Sequence, residues 1–202
     1  MTKTETTDTK VLNIPLIHED PRFSLIGGFY LTIPSDYVSN TQVSSFCVEA
    51  SKTKGKHTEF CEKFLIPRNI SDEDFSNVSD KLEPGKIYSV QILQVDEKTS
   101  TDDCLDFLIK NGALLVGMQG LTLAWQLKKE CFPEGRWLTS LDYEKKLFCS
   151  PGSRNNNKTR KYEIPRVNRI WDERLKFHWK LTTAWFKLPM DVEDCFILVK
   201  PS

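Results

Sequence analysis

Close cysteine pairs are missing from this chain. Its six cysteines (Cys47, Cys61, Cys104, Cys131, Cys149 and Cys195) are scattered, which excludes the zinc ribbons and dithiol motifs that need two thiols a few residues apart. Histidine is scarce as well. His18, His57 and His178 are the only three, and none has a partner at the spacing of a general base, a proton shuttle or a metal site, so no cofactor or metal is expected. Net charge is absent: 28 lysines and arginines balance 28 aspartates and glutamates, leaving no overall field to draw the molecule onto nucleic acid or an anionic membrane. No apolar run approaches the roughly 18 residues of a spanning helix, and the opening "MTKTETTDTK" has no apolar core of a secretory leader. A soluble chain in a cytoplasmic rather than secreted setting is therefore expected, without membrane insertion. Three Asn-x-Ser/Thr sites, at Asn69, Asn77 and Asn157, are a mild hint of the opposite setting.

What is there is aromatic. Twelve Phe, five Trp and five Tyr in 202 residues supply the apolar area of one packed globule, with or without an appended arm. Residues 1–10, polar and carrying threonine, lysine and acid, read as a disordered leader. From 11 to 70, short pieces such as "FSLIGGFYLTI", "VSSFCVEA" and "EFCEKFLI" are punctuated by Gly27-Gly28 and Pro34, which suits a β-rich N-terminal arm or subdomain. The acidic stretch 71–86, closing on Pro-Gly, reads as a linker to an α+β domain over 87–202.

Within that domain "IYSVQILQV" (87–95) is apolar on both parities, as a central strand is. Ser100 or Thr101 then offers a helix cap, Asp102 and Asp103 suit the positive end of the dipole, and Cys104, Leu105, Leu108 and Ile109 form an apolar stripe that ends at Asn111-Gly112. "ALLV" (113–116) is too short for a helix and reads as a buried link. A second helix is expected from about Leu121 to Phe132, stopped by Pro133 and Gly135. Strands follow: "RWLTSL", "KKLFCS", "YEIPRVNRIW", the alternating "LKFHWKL", and a closing "CFILV" apolar on both faces. Two helices packed on a mostly antiparallel sheet are the expected architecture.

This order resembles the C-type lectin-like fold over about residues 86–202. "DDCLDFLIKNGALLVGMQ" looks like that family's first helix, "GRWLTSL" is similar to its tryptophan-bearing strand and "DVEDCFILVK" to its closing strand. The layout is also similar to small uncharacterised bacterial and phage proteins that end in a Trp-rich hairpin. The resemblance implies Cys104 and Cys195 as partners, bonded when oxidised and merely touching in a reducing cell. Read from the residues alone, all six cysteines are free buried thiols, with disulfides the alternative. The calcium-dependent sugar-binding tripeptides are missing, so neither calcium nor sugar is implied.

The acid pairs (Asp102-Asp103, Asp142 with Glu144, Asp172-Glu173, Asp191 with Glu193-Asp194) all fall at turns or helix starts, where capping explains them. "GMQG" before the second helix offers amides to an anion but lacks the lysine of a phosphate loop. The most distinctive constellation is 154–171. Arg154, Lys158, Arg160, Lys161, Arg166 and Arg169 stand there against Glu163 alone, a net +5 in a neutral chain, with Tyr162 and Trp171 interleaved. Arginine beside aromatics suits contact with a protein partner or, as the alternative, with nucleic acid. The expectation is thus a non-catalytic binding or assembly protein, an oligomer or a subunit of a virion or other complex. An enzyme with an unrecognised site is the remaining alternative.

Overall fold

A computed structural model of the chain describes residues 15–52, 63–65, 72–75, 78–142, 145–146, 161–172, 176–185 and 189–202. Among these the fold is α+β. Strands β1 (Phe23–Thr32), β2 (Lys63–Leu65), β3 (Ile87–Val95), β4 (Leu138–Thr139), β5 (Lys145–Lys146), β6 (Lys161–Asp172), β7 (Lys176–Trp185) and β8 (Cys195–Pro201) join helices α1 (Gln42–Lys52), α2 (Thr101–Lys110) and α3 (Gly117–Lys128). The sheet runs β1-β3-β8-β4-β6-β7-β2, with β5 beside β6. Pairing is antiparallel except for β4 with β8 and β2 with β7.

The centre is where the doubly apolar runs predict it. β3 and β8 pair from Tyr88↔Pro201 to Gln94↔Cys195, and their side chains alternate between two cores. Val90, Ile92, Cys195, Ile197 and Val199 enter a core with Phe46, Met118, Leu121 and Trp125 from α1 and α3. Leu93, Val95, Phe196 and Leu198 enter a second core with Cys104, Leu105, Phe107 and Leu108 from α2. Helices therefore cover both faces of the sheet.

Cys104 and Cys195 are consequently on opposite faces, both buried and free. The contact that the lectin resemblance implied is not made, because the parity of β8 turns Cys195 away from α2. Burial, which penalises the thiolate, pushes both thiols up to about 12.

The short link between α2 and α3 crosses the plane of the sheet. Leu114 N–H donates to Val199 C=O at 2.8 Å, forming a bridge beside β8 beyond the two residues that β4 occupies. Leu114 packs into the α3 core, while Ala113 and Leu115 pack into the α2 core. Asp80 clamps the link, accepting from Leu115 N–H at 2.8 Å and donating its own N–H to Leu115 C=O at 2.9 Å. α2 begins as its sequence dictates, with Ser100 Oγ accepting from Asp103 N–H. It ends at fully buried Asn111, whose amide donates to Phe107 C=O and His18 C=O and accepts from His18 N–H. Gly112 follows at φ +66°.

Three expectations change. "VSSFCVEA" is helical, not extended. Val43 and Phe46 are buried one turn apart, and the helix amides of Val43 and Ser44 are capped by the carboxylate of Asp72, 2.7 and 3.0 Å away. α3 starts at Gly117, and "GMQG" is its first turn, buried throughout rather than open to an anion. The 71–86 stretch contributes buried Phe75, Val78 and Leu82. Phe29, Leu31, Val43 and Phe46 share the α3 core, so the described parts of residues 15–86 pack with the rest.

A Cβ on Gly120 would lie 2.2 Å from Val116 Cγ2. Gly120→Ala is expected to destabilise by about 1–3 kcal/mol through overpacking, and adding Val116→Ala should recover part of that loss, measured by urea unfolding. Asn111→Ala removes the side-chain hydrogen bonds that tie His18 to the end of α2, and should lower stability by about 1–3 kcal/mol in the same assay.

Candidate binding surface

Alternation along β6 and β7 decides which cations meet. Val167 and Leu181 point into the α3 core, so Arg166 and Lys180, each one residue away from them, emerge on the opposite face. Register places Arg166 across from Thr139 of β4 and Thr182 of β7, and Asn168 across from Lys180. Trp137, just before β4, lies on that face too. The Arg166 guanidinium carbon stands 4.3 Å from the centre of its ring, and Lys180 Nζ stands 6.0 Å away. Two cations from adjacent strands therefore converge on one half-buried indole.

Burial pushes the Arg166 guanidinium below its ordinary value, with Asp194 acting in the opposite direction. Burial likewise raises the Asp194 carboxyl, countered by the hydrogen bond from Asp191 N–H and by Arg166. Arg166 Nε has no hydrogen-bond partner among the described residues, nor has Oδ1 of buried Asn168. Beside Asp194, Glu193 holds φ at +75°, a conformation that costs a non-glycine residue about 1–2 kcal/mol.

The basic constellation expected from the sequence is thus divided. Arg166 belongs to the Trp137 surface. Arg169, three positions on, faces the other way, where its guanidinium pairs with Glu134 and its carbonyl accepts from Gly135 N–H. Lys161, Tyr162 and Trp171 are strand residues whose backbones lie opposite Lys146, Lys145 and Phe177. Arg154, Lys158 and Arg160 lie outside the described residues.

Trp137 and Lys180 are the members that sequence reading missed. The alternation of "LKFHWKL" does put Lys180 on the wet face, but nothing local ties it to Trp137, which reads as core. Trp125 and Trp179 are core, edge to face at 5.7 Å.

Among the described residues, several other polar groups make hydrogen bonds, while His57, Glu144 and Glu173 lie outside the described residues. Asp142, fully buried, accepts from Ser79 N–H at 2.9 Å and from Ser79 Oγ at 2.5 Å. His18 is exposed and engages Asn111 through its backbone. Arg22 grips Asp20 with two nitrogens, at 3.0 and 2.7 Å, which holds the Asp20 carboxyl below its usual range. A shallow groove of about 340 Å³ between α1 and α3 contains a chain of hydrogen bonds from Gln42 to Gln126 to Glu49. Burial pushes Tyr37 there up to about 12. Among the described residues no group of His, Cys, Asp and Glu side chains could hold a metal ion, and no helix is long and apolar enough to cross a membrane.

No protein-family model matches the chain, and neither a curated protein nor a solved structure matches it.

The raised Asp194 carboxyl sets a pH dependence. The fold favours its protonated form, so this contribution is whole below the ordinary value of 3.8 and is lost as pH climbs through the raised value. Asp194→Asn keeps an acceptor for Asp191 N–H and cannot ionise. It should therefore gain stability relative to the parent chain between about pH 3.5 and about pH 7, read from denaturant midpoints at both ends.

Proposed function

We propose that this chain is a non-catalytic binding or assembly protein, a subunit of a larger complex, that presents Trp137, Arg166 and Lys180 to an anionic surface of a protein partner. The observation that carries this reading is the Arg166 guanidinium, stacked on Trp137 with a buried N–H left unfilled among the described residues. Leaving such a donor unfilled costs about 1–3 kcal/mol. A guanidinium lying over an indole directs its in-plane N–H groups away from the ring, the arrangement that a carboxylate fork matches. Lys180 adds a second cation, exposed, on the neighbouring strand. Arginine and tryptophan are also the side chains on which binding energy concentrates.

For residues 86–202 we also propose the C-type lectin-like layout, supported by the pairing of the strand before the helices, β3, with the closing strand β8. The Cys104–Cys195 bond is not part of that proposal.

Nucleic acid is the alternative partner. It has less support because the Trp137 ring is already engaged by a guanidinium and is not free to stack on a base. Cross-linking in native extract, followed by mass measurement, tests the reading on the parent chain and on Arg166→Glu with Lys180→Glu, both checked for folding by circular dichroism. A protein partner retained by the parent at low salt and lost about tenfold or more by the double reversal is the expected result. Equal retention by both would sink the proposal. RNA or DNA bound in a salt-dependent way and released by the reversal would transfer it to nucleic acid.

A further inference from the structure

Among the described residues, one end of the sheet is long and unguarded. β1 lies at the edge and, among the described residues, pairs only with β3. An edge strand turns half its backbone N–H and C=O groups outward, and natural proteins blunt such edges with charge, proline, shortness or a bulge. The ten residues "FSLIGGFYLT" contain neither a charge nor a proline, whereas β2 at the opposite edge has three residues. A bulge between Leu25 and Gly27 disturbs only the first half of β1, and Gly27–Thr32 then runs in unbroken register against Ile92–Ile87.

Apolar side chains crowd the regular half. Tyr30 is 49 % exposed, and Ile87, which pairs with Thr32 and so stands diagonally to Tyr30 on the same face, is also 49 % exposed.

We infer that the free edge of β1 is a homodimer interface, with Gly28–Thr32 of two copies pairing antiparallel across a two-fold axis at Tyr30. The occupant is a second copy because the strand is uncharged and the whole chain has a formal net charge of zero, so two copies meet without repulsion. A charged foreign strand finds no complement along this edge. Antiparallel self-pairing about Tyr30 is isologous, each copy offering the same five residues. It sets Tyr30 against Tyr30 of the second copy, with both Ile87 side chains diagonal to the pair, and it gives the outward backbone groups the partners they lack.

Sedimentation equilibrium of the full chain, up to about 100 μM, reads the association. A dimer is expected. Tyr30→Phe should keep it, and Tyr30→Lys, which sets like charges directly opposite one another, should raise its dissociation constant about tenfold or more. Tyr30→Cys should form a symmetric intermolecular disulfide on mild oxidation, because directly opposed Cβ atoms stand about 4.5–5.5 Å apart. Val192→Cys, equally exposed but remote in the fold, should not. Circular dichroism confirms folding of each variant. A parent chain that stays monomeric, a Tyr30→Lys variant that dimerises as the parent does, or cross-linking at position 192 and not at 30 overturns the inference.

Discussion

The antiparallel pairing of β3 with β8 is the constraint on which the other layers depend. Both strands are buried on both faces, so each successive residue serves a different core, and both cores are set by a single register. A slip of β8 by one position would send Ile197 toward α2 and Phe196 toward α3, inverting the fit of every side chain along that strand. The link 113–116 is bound to the same pairing. It fills the place beside Val199 and lets the chain pass from one face to the other in four residues. The abrupt stop of α2 at Asn111-Gly112 follows from this, since a longer helix would overrun the place beside β8 at which the crossing has to begin.

What could be read in advance was local. β3, β8 and α2 are legible because their signals sit within one window: apolar residues on both parities for the strands, and Ser100, Asp103 and Gly112 for the helix. α1 was not legible, because the acid that caps it, Asp72, lies 29 residues from Val43 and its first turn carries no acid of its own. Gly117 and Gly120 obscured the start of α3, since glycine argues against a helix unless the close approach of Val116 is known. The basic surface was half legible. Composition flagged 154–171, and period-two alternation alone separates Arg166 from Arg169. The meeting of Arg166 with Trp137 and Lys180 requires the order of β4, β6 and β7 and their registers, none of which is encoded in a neighbouring residue.

The same geometry explains why the cationic surface lies where it does. α2 covers the β1-β3-β8 side of its face, with Phe23, Leu93 and Phe196 beneath it. Toward β6 and β7 the residues on that face turn polar: Arg166, Asn168, Lys180 and Thr182. Among the described residues no helix covers this strip, and indole and guanidinium suit it because each tolerates partial burial while retaining a polar edge.

The position of β8 also governs how the molecule can be made. It is last among the strands in chain order and central in the sheet, joining β3 on one side to β4 on the other. While a ribosome still holds this segment, the β1-β3 pair and the β4-β6-β7 run can form separately, yet β3 and β4 lack β8 between them. Two apolar flanks then wait, exposed, until the final strand emerges and inserts between them. The nascent protein is therefore at its most vulnerable to chaperone capture or misassembly before Cys195–Pro201 has emerged.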